Sequence, residues 1–124
     1  MPFTTADEAV VHEMHGARFT SYAASPLGST ELCAWRTDVR AGSSGPVHRI
    51  SREEVFLVLS GAVELSLDDE TRLLHAGDAA IAPAGSSVAV ANPTEEPAAM
   101  WVTTSIGLHA TLADGSRIAP PWAS

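Results

Sequence analysis

Glycine, proline and short polar residues punctuate this chain so regularly that only short extended segments fit between them. Turn residues stand at Ser25-Pro26 with Gly28, Ala41 to Gly45, Ser60-Gly61, Asp68-Asp69, Gly77-Asp78, Pro83 with Gly85, and Asn92-Pro93. Intervals of about ten residues between such clusters are those of an all-β sandwich or barrel. Glycine supplies the positive φ angles of tight turns, and Asp and Asn bond to their own backbone. The pattern predicts strands over 18–23, 30–40, 55–59, 62–67, 72–75, 79–82, 87–91 and 98–105.

Side-chain alternation supports this reading. In Ala62–Leu67 the residues Val63, Leu65 and Leu67 share one face, while Glu64 and Ser66 share the other. Val55–Leu59 is apolar on both faces, which predicts a central strand covered on both sides. No long helix fits. Thr5 to Glu13 reads either as a weak helix or as an edge strand, and the tail around Trp122 reads as irregular chain folded on the surface or across a dimer contact. His12 and His15 suit one face of a helix at their i, i+3 spacing, a pattern too weak to define a metal site.

A length of 124 residues fits one domain with one hydrophobic core, spanning 1–124. No apolar run approaches the roughly 18 residues that span a bilayer, and the first residues lack the basic and apolar regions of a secretory signal. The single Cys33 cannot form an internal disulfide, which points to a small buried thiol in a reducing cytoplasm. Fifteen acidic residues against seven basic ones give a formal charge of −8. That balance argues against nucleic-acid and anionic-membrane partners, whose affinity comes from Lys and Arg clusters. Arg40, Arg49 and Arg52 lie close together in sequence, either as a solvated loop or as a greeting for an anionic small molecule.

The spacing of the punctuation carries more than strand boundaries. Five residues separate Gly42 from His48, and six separate Glu54 from Gly61. Five separate Gly77 from Pro83, followed by Gly85, with Asn92 seven further on. These segments, GSSGPVHRISREEVFLVLSG and GDAAIAPAGSSVAVAN, resemble the two signature motifs of the cupin superfamily, G-x5-H-x-H-x(3,4)-E-x6-G and G-x5-P-x-G-x2-H-x3-N. The resemblance covers about residues 30–105. It implies a double-stranded β-helix, or jelly-roll barrel, and a homodimer, the latter also expected because open sheet edges invite pairing.

The resemblance further implies a divalent metal (Zn, Fe, Mn or Ni) held inside the barrel by four side chains. His48 and Glu54 occupy two of those positions, whereas Ile50 and Val88 occupy the other two and donate nothing. Three readings follow. Without metal, Ile50 and Val88 help to form an apolar pocket for a small molecule, oriented by His48 and Glu54. With metal, those two residues recruit a third ligand from elsewhere, as a dioxygenase, isomerase or decarboxylase would require. In the third reading His48 and Glu54 bond to each other or to backbone and perform no chemistry, as in a sensor or accessory protein.

The first reading is preferred because aliphatic replacements are those that pack cores. Within it, Trp35, Phe56 and Met100 join Ile50 and Val88 as pocket residues. His48 and Glu54 become the candidate catalytic pair for isomerisation, cyclisation or dehydration, with burial raising the Glu54 pKa and a nearby histidinium lowering it. No cofactor is then required, and the partner is a small apolar ligand.

Overall fold

The computed structural model describes residues 2–124 and contains twelve strands. In chain order these are β1 (Val10–Met14), β2 (Ala17–Ala23), β3 (Leu32–Val39), β4 (His48–Ile50), β5 (Glu54–Ser60), β6 (Ala62–Leu67), β7 (Glu70–His75), β8 (Ala79–Ala82), β9 (Ser87–Ala91), β10 (Ala98–Ser105), β11 (Ala110–Leu112) and β12 (Arg117–Ile118). They form two six-stranded antiparallel sheets, ordered β1-β2-β3-β10-β5-β8 and β12-β11-β4-β9-β6-β7. Their inner faces pack together as a jelly roll, with Ile50, Phe56, Val58, Val63, Leu65, Val88, Met100 and Val102 in one core. Helical structure is confined to 3-10 turns at Ser25–Leu27 and Pro121–Ala123, and no helix among the described residues is long and apolar enough to cross a membrane.

The motif residues act as turn chemistry. Gly61 joins β5 to β6 with φ +70°, and a Cβ there would lie 2.6 Å from the Pro97 carbonyl oxygen. Both the angle and the contact require glycine. Asn92 is fully buried after β9. Its Nδ2 donates to the carbonyls of Val39 (3.2 Å) and Glu96 (2.8 Å), and its Oδ1 accepts from Thr94 N (3.0 Å) and Oγ1 (2.7 Å). One side chain thus fastens the ends of two strands and satisfies all its own polar atoms. Asp78 likewise accepts a backbone bond from His75 N at 2.9 Å.

Two expectations change and one open alternative is decided. Val55–Leu59 is not covered on both sides: Phe56 and Val58 are buried, whereas Val55, Leu57 and Leu59 remain 38–41% exposed. The strand is interior to its sheet, between β10 and the edge strand β8, but that sheet covers the core on one face only. The N-terminal segment is an edge strand from Val10 rather than a helix, paired with β2 through Val10↔Ser21 to Met14↔Ala17. The tail is neither loose surface chain nor free to bridge a dimer. Trp122 is 7% exposed and stacks on Phe19 at 3.9 Å with an interplanar angle of 1°.

Candidate functional site: a cavity between the sheets

A cavity of about 140 Å³ lies between the two sheets. Strand alternation explains its walls. From the first sheet, β3 turns Trp35, Thr37 and Val39 inward, β5 turns Glu54 and Phe56, and β10 turns Met100 and Val102. From the second sheet come His48 on β4, Val88 and Val90 on β9, and Ala110 and Leu112 on β11. Met14, His15, Ala17 and Val39 also border an adjoining surface groove, so the cavity opens at the β1–β2 turn. Strand β10 sets Ala98 opposite Val39 and Thr104 opposite Glu54, which puts Glu54 at the other, inner end.

Of the residues singled out from sequence, His48, Glu54, Val88, Phe56, Trp35 and Met100 all line this one cavity. Ile50 does not. It shares the inward face with His48 but is 1% exposed within the core, and its backbone N donates to the Ser86 carbonyl at 3.0 Å. The three arginines near the first motif stay outside the cavity. Arg49 donates to the Gly85 carbonyl at 2.7 Å, Arg52 to Ser105 Oγ at 3.2 Å, and Arg40 borders the outer groove. Arg36 pairs with Asp38 on the outer face at 3.1 Å.

The two polar residues sit in unlike surroundings. Glu54 is only 4% exposed, and its carboxyl makes no hydrogen bond or ion pair among the described residues. Ser21 Oγ is the one fully enclosed side-chain polar atom left without a partner there, so the unpaired Glu54 oxygens must reach the open space of the cavity. Burial alone raises the Glu54 pKa from 4.5 to about 7. The expected histidinium that would lower it is missing, because His48 has no such charge to offer.

Burial, first, depresses the His48 pKa; the Pro46 carbonyl opposes this and His15 adds a smaller lowering. His48 Nδ1 lies 3.2 Å from the Pro46 carbonyl oxygen. A carbonyl can only accept, so Nδ1 carries the proton of a neutral ring, and Nε2 keeps its lone pair. The two residues do not bond to each other: His48 bonds to backbone, as the third reading allows, and Glu54 bonds to nothing polar among the described residues.

Sequence reasoning missed the part of the wall supplied by the chain ends. Phe19, Leu108, Ile118, Pro120 and Trp122 line the cavity, as does His15 at its mouth. His15 reaches that position because it occupies the β1–β2 turn with φ 52°, followed by Gly16 at 77°. His12 is tilted against Trp122 at 5.9 Å instead. The His-Gly pair between two alternating runs was the available hairpin signal.

A four-ligand metal centre does not fit these residues. Ile50 and Val88 present only carbon, and among the described residues no three His, Cys, Asp or Glu side chains converge as a metal would require. His15 borders the cavity without completing such a set.

Comparison with known proteins agrees with the architecture. Among solved structures, a Cupin 2 conserved barrel domain protein from Salinispora arenicola CNS-205 is 27% identical with a TM-score of 0.70, covering 84% of this chain and 87% of its own. An RmlC-like cupin from Shewanella frigidimarina NCIMB 400 is 21% identical with a TM-score of 0.72, covering 83% and 88%. The polyketide cyclase RemF from Streptomyces resistomycificus is 18% identical with a TM-score of 0.76, covering 85% and 79%. No protein of curated function matches the chain in sequence. Residues 35–105, more than half the chain, match the family described as Cupin domain. With the jelly roll and both motif spacings in place, this chain belongs to the cupin domain family.

Proposed function

We propose that this cupin binds a small, largely apolar molecule in its barrel, without a tightly held metal, and moves a proton on it with His48 and Glu54. The observation that carries the proposal is an unpaired buried carboxyl facing the same apolar cavity as a neutral imidazole. An unpaired polar group in such a place is costly unless something uses it. Isomerisation or cyclisation next to a carbonyl fits the pair. His48 Nε2 takes the proton from carbon, and protonated Glu54 donates to the carbonyl oxygen as the enol forms. Reversal at another carbon, or attack by the enol, completes the reaction with no net change in protons. The likeness to a polyketide cyclase is one of fold and lends the reaction class no more than compatibility.

The test is exchange of α-hydrogen for deuterium in small ketones incubated with the protein in D₂O. Protein-dependent exchange that Glu54→Gln and His48→Gln each reduce about 100-fold or more is expected. Exchange unchanged by both substitutions removes the acid–base role. A binding module would take up the same ketones unaltered, and elemental analysis finding one tightly held ion per chain would favour a metal enzyme.

Two further features belong to this reading. The protein acts in the cytoplasm, where Cys33, free and buried, stays reduced. It also acts as a homodimer. The edge strand β8 carries no charge, and its Ile81, 62% exposed, extends the apolar outer face of Val55 and Leu57. Light scattering should give twice the chain mass for the native protein and the monomer mass for Ile81→Arg.

A further inference from the structure

We propose that the barrel takes an uncharged, flat, single-ring molecule of roughly benzene to cresol size, held against an aromatic and thioether wall with its one polar substituent toward Glu54 and His48. This rests on the reading of the barrel as a small-molecule site and adds size, charge and shape to it.

Size follows from the cavity. At about 140 Å³ it is close to the roughly 150 Å³ of engineered apolar cavities that stay dry and admit benzene. A second or third fused ring exceeds that space and would have to protrude through the mouth at the β1–β2 turn or force the walls apart, which interiors resist.

Charge follows from the lining. No Arg, Lys or Asp borders the cavity, and His48 is committed through Nδ1 to the Pro46 carbonyl. An anionic ligand at the inner end would bring its charge beside an unpaired carboxyl with no Arg or Lys to receive it, and the one further titratable side chain of the wall, His15, stands at the mouth. Burying a charge without a partner is strongly disfavoured. The arginines that could serve an anion point elsewhere, Arg49 to the Gly85 carbonyl and Arg52 to Ser105.

Shape follows from which side chains were placed there. The chain has seven aromatic residues (three Trp, three Phe, one Tyr), and Phe19, Trp35, Phe56 and Trp122 line this cavity. Met14 and Met100 join them, two of the three methionines, and thioethers pack well against ring edges. The indole N–H of Trp35 is already bonded to Thr37 Oγ1 at 3.0 Å, so its donor is not free for a ligand and the ring meets it as an apolar surface. Offset and edge-on ring contacts favour a flat ligand over a puckered one of equal area.

The test is calorimetric titration of the whole protein with four probes, supported by tryptophan fluorescence from Trp35 and Trp122. Phenol should bind saturably, one per chain. Cyclohexanol, of similar size but not flat, should bind about 2- to 10-fold more weakly. Benzoate, anionic at neutral pH, and 9-phenanthrol, uncharged with three rings, should each bind at least about tenfold more weakly than phenol. Val90→Trp, which fills the cavity from a half-buried position, should abolish phenol binding; if that variant does not fold, the probe series on the native protein decides. Benzoate, phenanthrol or cyclohexanol binding as tightly as phenol overturns the ligand class and leaves the barrel site standing. No binding by any probe, or phenol binding untouched in a folded Val90→Trp protein, overturns both.

Discussion

Two regions wall the same cavity and are held there by different physics. Residues 42–92 are fixed by backbone devices: Gly61 at a turn no other residue fits, and Asn92 bonded through every polar atom it has. The chain ends are tied into the sheets as β2 against β3 and β11 against β4, but the tail beyond β12 reaches the cavity mainly by packing. Phe19 and Trp122 stack on each other, and the tail's backbone bonds to the rest of the chain are few: Ser25 N to the Ser124 carbonyl at 2.8 Å and Gly107 N to the Ala123 carbonyl at 3.3 Å. The first region builds the barrel and carries His48 and Glu54. The second, mostly outside the family match at 35–105, shapes the mouth and side wall. A shared fold can therefore present different pockets when only its ends change.

Damage to the two regions should differ in kind. Gly61→Ala forces a Cβ against the Pro97 carbonyl at a positive φ, and should cost about 4 kcal/mol in denaturant unfolding. A loss below about 1 kcal/mol would show that the turn relaxes freely and that the motif glycine is not a rigid device. Trp122→Ala should cost about 3 kcal/mol. The far-UV spectrum of the barrel should persist while phenol binding weakens. Loss of all β signal would mean that the tail is part of the barrel's foundation and would erase the distinction.

Glu54→Gln probes the first region from its chemical side. The folded Glu54 pKa of about 7 exceeds its ordinary 4.5, so the folded state holds this proton over a pH range in which the unfolded chain has released it. Its contribution is fully present below pH 4.5, declines as pH rises, and is gone above about 7. Glu54→Gln, which cannot ionise, should match the native protein near pH 4 and exceed it by about 3 kcal/mol at pH 8. Equal stability at both pH values would mean that Glu54 has found a partner. Arg36→Ala gives the smallest effect. Its ion pair with Asp38 is 44% and 38% exposed, and removing it should change stability by less than about 0.5 kcal/mol, in line with its position outside both walls.

How far the sequence could be read follows the same division. β6, β8, β9 and β10 have the boundaries that alternation and turn residues predict, because each is bracketed by Gly, Pro, Asn or Asp. β4, β11 and β12 have two or three residues each, too few for any periodicity to register. His48 and Glu54 were legible as inward residues through the motif spacing, and Val88 through the aliphatic residue at a ligand position. Ile50 was legible as buried but not as packed away from the cavity, since strand alternation fixes the face and not the depth. Trp122 was illegible because its place depends on a contact with Phe19 about a hundred residues away, which no local pattern encodes.

The central claim is that Glu54 faces the cavity as a buried carboxyl without a polar partner. Carbon-13 NMR of the glutamate side-chain carboxyls across a pH titration tests it directly. One signal should titrate near pH 7 and vanish in Glu54→Gln. If no glutamate signal titrates above about pH 5.5, the carboxyl is solvated or paired, and the account of the site is wrong.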